Sequence, residues 1–340
     1  MRGDGSDEFV TKNINNIVFI RPGALGDVLV ARGAIRFLRD AFPEARLTLL
    51  APGERGRLFL REGWAHRVFD WDGAAFGWLF SRGESAPDAR LCEAFSHCDL
   101  LFSFVDAGGE GGVFSKRLAE VAPNALRCHL APHPSSGADG SAGARMLHCV
   151  AEFSRAIGAK NFHPIPDIFA YLEKRMVIPF PVGMGGAASL LVMHPGSGSP
   201  VKNWPVGNFA SLAVRLLELC DDGGERIFHR LVVTHGEADG ELGEELCRRV
   251  EGAIAWPARG LEELGGLLAG ALFYVGNDSG VSHLASAVCG LDGAFPKVVT
   301  VFGASDAVIW APPGALVLDA GKEMDELSPD TAFDQIARLF

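Results

Sequence analysis

Two polar, glycine-containing turns carry the residue types that bind phosphate. The first is His194-Pro195-Gly196-Ser197-Gly198-Ser199-Pro200-Val201-Lys202-Asn203-Trp204-Pro205. Gly196 and Gly198 leave backbone N–H groups open to a ligand, Ser197 and Ser199 add hydroxyl donors, and Lys202 adds a point charge. Pro205 suits the first turn of a helix. The second turn is Gly276-Asn277-Asp278-Ser279-Gly280-Val281-Ser282-His283-Leu284, read as the break after a buried strand over 271–275. Asp278 or Ser279 can cap the helix that follows, and Gly280 lets a ligand approach the backbone. A helix start presents unpaired N–H groups and a partial positive charge, which fits a phosphate or diphosphate. Alone, the first also reads as a surface loop with a solvated lysine, and the second as an ordinary strand–turn–helix with a capping Asp and Ser. Together, in one half of the chain, they favour an anion site.

Three acidic positions extend the argument. Asp27 follows Arg21-Pro22-Gly23-Ala24-Leu25-Gly26 at the end of the first predicted strand. It is placed to cap a helix, or to act as general base over the ligand-binding edge of a parallel sheet. Thr234-His235-Gly236-Glu237-Ala238-Asp239 follows another strand, where an acid can accept both hydroxyls of a ribose; Glu237 is preferred to Asp239 for that role. Asp70-Trp71-Asp72 is a literal DxD, far from the phosphate turns and without further carboxylates, and reads as a surface turn. Neither GxxxxGK[ST] nor a GxGxxG after a strand occurs, which removes support for a P-loop enzyme or a dinucleotide-dependent dehydrogenase. The histidines show no metal-ligand spacing, so no metal and no cofactor is expected.

The elements that must position these residues alternate strand and helix, the α/β signature. Buried strands are predicted over 17–20, 46–51, 68–70, 100–105 and 125–130, then 190–194, 231–234, 253–256 and 298–302. Helices are predicted over 27–42, 54–62 and 144–157, then 206–220, 240–250, 261–269 and 329–340. Gly108 to Gly112 reads as a flexible run, and 132–143 as a mobile loop. A shift to Pro and Gly around 171–188 marks a boundary. The expected division is a first α/β domain over 1–172, a linker over 173–188, and a second α/β domain over 189–328 that carries both phosphate-type turns. The 340 residues suit two such domains, and 48% hydrophobic content supplies their cores. A net charge of −11 argues against nucleic acid as a partner. Seven scattered cysteines without CxxC spacing fit a reducing compartment. No signal peptide and no membrane-spanning run is expected, so the protein reads as cytoplasmic, with at most a peripheral contact at the inner membrane.

The motifs together resemble the ADP-heptose:lipopolysaccharide heptosyltransferase family, glycosyltransferase family nine. The residues that carry the resemblance are Arg21 to Asp27, His194 to Ser197 with Lys202 to Pro205, Gly276 to Leu284, and Phe302-Gly303-Ala304-Ser305-Asp306 with Trp310 and Pro312. They occur in the family's order and span nearly the whole chain. The resemblance implies a GT-B fold of two Rossmann-like domains facing a cleft, with the helix 329–340 packing back on the first domain. It implies an inverting, metal-independent transfer from a nucleotide sugar, ADP-heptose, to a lipopolysaccharide core or related surface glycan.

By the resemblance Asp27 is the general base and Lys202 neutralises the diphosphate. Pro195, Gly196, Ser197, Glu237, Asp278, Ser279, Gly280 and His283 complete the donor site, His283 either touching the ligand or bracing the turn. Gly26 lies on the acceptor side, where Arg55, Arg57 and Arg61 can meet an anionic, lipid-linked acceptor. A monomer is expected. The family's usual His-Thr-x-Pro-like segment after the Gly-Asp step is replaced by Val28-Leu29-Val30-Ala31-Arg32-Gly33-Ala34. Two other classes stay in view: a nucleotide-sugar-binding protein without catalysis, and an epimerase on a similar scaffold.

Overall fold

The structure, a computed structural model, describes residues 13–105, 111–133, 140–158, 170–179, 189–257 and 260–340. From the amino end the elements run β1 (Asn16–Ile20), α1 (Leu25–Val30), α2 (Arg32–Ala41), β2 (Arg46–Ala51), α3 (Gly53–Arg61), β3 (Arg67–Asp70), α4 (Ala89–Ala94), β4 (Leu100–Ser103), α5 (Val113–Val121), β5 (Leu126–His129), α6 (Ala142–Ala156) and β6 (Met176–Val177). They continue as β7 (Leu190–His194), α7 (Val206–Leu217), β8 (Arg230–His235), α8 (Gly240–Arg249), β9 (Ile254–Pro257), α9 (Leu261–Ala269), β10 (Phe273–Asn277), α10 (Gly280–Ala287), β11 (Val288–Cys289), β12 (Lys297–Phe302), α11 (Ala307–Trp310), β13 (Leu316–Asp319) and α12 (Pro329–Ala337). Residues 108–110 of the glycine run and 134–139 of the loop 132–143 lie outside the described residues, as do residues 180–188 of the expected linker.

The described residues form two compact units. One holds β1 to β5 with α2 to α5, and the other holds the chain from residue 173 onward together with residues 24–30. In the first unit the strands are parallel in the order β3-β2-β1-β4-β5. In the second they are parallel in the order β13-β12-β10-β7-β8-β9. Counted from β7, that is the doubly wound Rossmann order, which reverses direction between β7 and β10. Helices cover both faces of such sheets, so central strands carry unbroken apolar runs rather than alternation. Every residue of β7 and of β10 is buried, as the sequence requires.

Sequence and structure differ at four places that matter. The helix predicted over 27–42 is broken at Ala31 into α1 and α2. The strand predicted to stop at Gly276 continues through Asn277, because Gly276 pairs in register with His194 and Thr300. The hydroxyl of Tyr274 fills the space where a Cβ at Gly276 would stand, so only glycine continues the strand there. The helix predicted over 206–220 ends at Leu217, and Cys220 is exposed just beyond it.

The fourth is the terminal helix. α12 packs on α7 of the second unit, not on the first domain as expected. Its buried residues Ala332 and Ile336 join the core formed by Trp204, Phe209, Leu212 and Leu216. Ser328 caps it by accepting from the Thr331 N–H at 3.1 Å, and the Arg215 guanidinium lies 3.9 Å over the Phe333 ring. Phe340 then meets Phe228 and Phe273 edge-on or tilted. The apolar face of this helix therefore completes a core made by its own half of the chain. No helix among the described residues is long and apolar enough to cross a membrane.

Candidate active site

In doubly wound sheets ligands bind beyond the carboxyl ends of the strands, where the strand order reverses. In the second unit that point lies between His194, the last residue of β7, and Asn277, the last residue of β10. Asn277 is fully buried. Its Nδ2 donates to the Pro195 carbonyl at 2.8 Å, and its Oδ1 accepts from the Trp204 N–H at 3.0 Å. One side chain from the neighbouring strand thus pins both ends of the loop that carries Lys202. Trp204 is anchored in turn, with Nε1 donating to the Leu327 carbonyl at 3.0 Å.

Inside the loop the Ser197 hydroxyl lies 2.7 Å from the Ser199 carbonyl and 2.6 Å from Asn203 Oδ1, and accepts from the Ser199 N–H at 3.2 Å. Its proton therefore maintains the shape of the loop. A Cβ at Gly198 would meet open space, whereas at Gly196 the Asp239 carboxylate fills that place. Asn277→Ala removes partners from a buried N–H and a buried carbonyl at once. It is expected to cost about 2–4 kcal/mol of stability, read in urea denaturation.

Lys202 Nζ donates to Asp278 Oδ2 at 2.6 Å, and Ser305 Oγ donates to the same oxygen. Asp278 is almost buried, while Lys202 keeps a third of its side chain exposed. Of the two capping candidates, Ser279 caps α10, accepting from the Ser282 N–H at 3.3 Å. That leaves the Asp278 carboxylate for the lysine. The Ser282 hydroxyl donates to the Asn277 carbonyl at 2.6 Å and lies 3.0 Å from the Tyr274 hydroxyl, which binds the turn to its strand.

The helix of Asp27 belongs to this unit, and α1 packs closely on α10. A Cβ at Gly280 would stand 2.8 Å from Leu25 Cβ and 3.1 Å from Gly26 N, and one at Gly26 would stand 3.2 Å from the His283 ring. Gly26 and Gly280 are thus needed for close approach of two helix starts. His283 is buried against Gly26. Asp27 is the third residue of α1, not its cap, as the sequence position had suggested. Its Oδ2 accepts from the Ala24 N–H at 2.9 Å, the returning half of a capping box. The half-buried carboxylate is held one residue from the Gly26–His283 contact.

At the end of β8 the structure singles out Asp239. Its Oδ1 accepts from the Gly236 N–H at 2.6 Å, and its Oδ2 lies 3.2 Å from His194 Nε2. Glu237 is exposed. His194 Nδ1 lies 2.9 Å from the Thr234 carbonyl. Burial holds His194 below its ordinary value of 6.5, against the opposite pull of Asp239. An unfolded His194 takes up its proton near 6.5, and the folded one only at lower pH, so the unfolded state binds more protons in between. Stability from this site is present above that value and is lost as pH falls below it. His194→Gln, which cannot take up a proton, is expected to flatten the fall of Tm between about pH 7 and pH 5.

The remaining candidates lie in the first unit. Arg55 Nη1 donates to the Gly23 carbonyl at 2.6 Å, and Arg57 and Arg61 project from α3 with exposed side chains. Asp70 Oδ1 accepts from the N–H groups of Gly53 at 2.8 Å and of Asp72 at 3.2 Å, so it organises the start of α3. Among the described residues no three His, Cys, Asp or Glu side chains gather as metal ligands. Asn277 and Ser305 went unassigned in the sequence reading. Asn277 has no local signature, since a capping or turn role would look the same from its neighbours alone.

The family model of glycosyltransferase family 9 (heptosyltransferase) matches residues 179–328. A glycosyl transferase family 9 structure from Veillonella parvula DSM 2008 superposes with a TM-score of 0.69 at 16% identity, over 96% of this chain and 97% of that one. The E. coli heptosyltransferase WaaC with ADP gives 0.65 at 18% identity, over 95% and 99%. The E. coli ADP-heptose lps heptosyltransferase II gives 0.63 at 18% identity, over 95% and 98%. No curated protein matches the chain in sequence. At these identities the structural likeness speaks for the fold, two Rossmann-like units of the GT-B type.

Proposed function

We propose that this protein, whose residues 179–328 match the glycosyltransferase family 9 (heptosyltransferase) model, is a transferase that moves heptose from ADP-heptose to a lipopolysaccharide core or a related surface glycan. The observation that carries the reading is the set of groups at the strand-order reversal of the second unit. Lys202 and the start of α10 meet there, with the helix of Asp27 packed on α10. The solved relatives include WaaC with ADP and with ADP-2-deoxy-2-fluoro heptose, which supports an adenine nucleotide sugar as the donor.

In this reading Asp27 takes the proton of an acceptor hydroxyl. The hydroxyl oxygen forms a bond to the anomeric carbon, and the bond from that carbon to the diphosphate oxygen breaks on the opposite face. Configuration inverts, and ADP leaves with the electron pair. Lys202 and the first N–H groups of α10 receive the charge that develops on the leaving diphosphate. No metal ion has a part in this scheme. Glu237 takes the ribose hydroxyls, and Asp278 holds hydroxyls of the sugar. Arg55, Arg57 and Arg61 favour an anionic, lipid-linked acceptor, met by a monomer at the cytoplasmic face of the inner membrane.

The segment Val28 to Ala34, without the family's usual His and Pro, favours a second reading: a transferase of the same family with another donor sugar. A thermal-shift panel of nucleotide diphosphates and nucleotide sugars tests both. The first reading expects ADP and ADP-heptose to give the largest rise in Tm, and the second expects another nucleotide sugar to exceed them. Absence of a shift with every member of the panel overturns the donor site.

A further inference from the structure

We propose that Ser305 is a positioning residue of the donor site, holding the Asp278 carboxylate in place while Lys202 changes partner from Asp278 to the diphosphate. This rests on the donor-site reading above. Ser305 comes from the loop between β12 and α11, which that reading does not use. Its hydroxyl donates to Asp278 Oδ2, the same oxygen that receives Lys202 Nζ at 2.6 Å. The Asp278 side chain is only 9% exposed, so water is a poor substitute for either donor.

An anion arriving at the loop of Lys202 competes with Asp278 for the ammonium group. When Lys202 turns to the phosphate, Asp278 loses its cation, and the Ser305 hydroxyl stays as a donor to it. Without that hydroxyl the carboxylate depends far more on Lys202. The ion pair then resists opening, and anion binding weakens. The neighbouring Asp306 has a separate task, since its carboxylate accepts from the Val308 N–H at 2.9 Å and caps α11. The loop is seated firmly: a Cβ at Gly303 would stand 2.7 Å from Met324 Sδ, in the core of the unit. Ser305 is therefore presented from a fixed position, as a positioning residue must be.

The test is calorimetric binding of ADP and of inorganic pyrophosphate to the wild type, Ser305→Ala, Ser305→Thr, Asp278→Asn, the Asp278→Asn/Ser305→Ala double variant and Lys202→Ala. Ser305→Ala is expected to weaken both probes about tenfold. Ser305→Thr, which keeps the hydroxyl, restores most of the loss. In the Asp278→Asn background, where Lys202 has no carboxylate to leave, Ser305→Ala adds nothing. A residue that merely stabilised its loop would weaken binding equally in both backgrounds. Wild-type affinity in Ser305→Ala, or an equal loss with Asp278→Asn, overturns the role of Ser305 and leaves the donor site standing. Wild-type protein that binds neither probe, or Lys202→Ala that binds as well as wild type, overturns the donor-site reading itself.

Discussion

Lys202→Ala is expected to abolish the rise in Tm that ADP and ADP-heptose produce. The ammonium group is the one cation that the loop after β7 presents beside α10, within 2.6 Å of Asp278. Truncation removes a charge-assisted bond to the diphosphate and also leaves the Asp278 carboxylate without its ion pair. Two effects then oppose the ligand: a lost attraction, and a nearly buried negative charge that now faces the phosphates. Lys202 is a third exposed, so solvent screens part of the first effect. The expected sum is about 2–4 kcal/mol, or roughly 30- to 1,000-fold in Kd. Calorimetry with ADP measures it. Lys202→Arg is expected to bind with intermediate affinity, because it keeps the charge but changes the geometry. An ADP-induced shift of wild-type size in Lys202→Ala removes Lys202 from the site.

Asp27→Asn is expected to lower the rate of sugar transfer by about 10²–10⁴-fold and to leave the ADP-induced Tm shift in place. The amide is nearly the same size as the carboxylate and its oxygen can still accept from the Ala24 N–H, so the first turn of α1 keeps its cap. What it loses is the capacity to take a proton. The split between intact donor binding and lost turnover separates a base from a residue that merely shapes the helix start. Equal transfer rates in wild type and Asp27→Asn remove Asp27 from the mechanism. A protein that binds the donor but transfers no sugar even with Asp27 in place supports the reading as a non-catalytic nucleotide-sugar binder.

The sequence by itself determined the α/β class, the division into two halves and the places where glycine- and serine-rich turns follow buried strands. These are properties of local pattern. Buried parallel strands read as apolar runs such as Leu190 to Met193, and glycine with serine at their ends announces strand–turn–helix units. The same locality explains the successes at Pro205, which opens α7, and at Ser279, one of two possible caps for α10.

The tertiary structure alone decided which of these groups meet. Strand order is invisible in a pattern of alternating elements, so the juxtaposition of β7 and β10 at the reversal point had to come from the folded sheet. That order brings Asn277 against both ends of the Lys202 loop, 82 and 73 residues away in sequence, and brings Ser305 to Asp278. It also assigned Asp239, not Glu237, to the contact with His194, because the turn after β8 folds one carboxylate inward and leaves the other in water. The terminal helix was misplaced for the same reason: its amphipathic pattern shows that it needs an apolar surface, and only packing reveals that α7 supplies it. Local sequence specifies what each segment can offer, and long-range packing specifies what it is offered to.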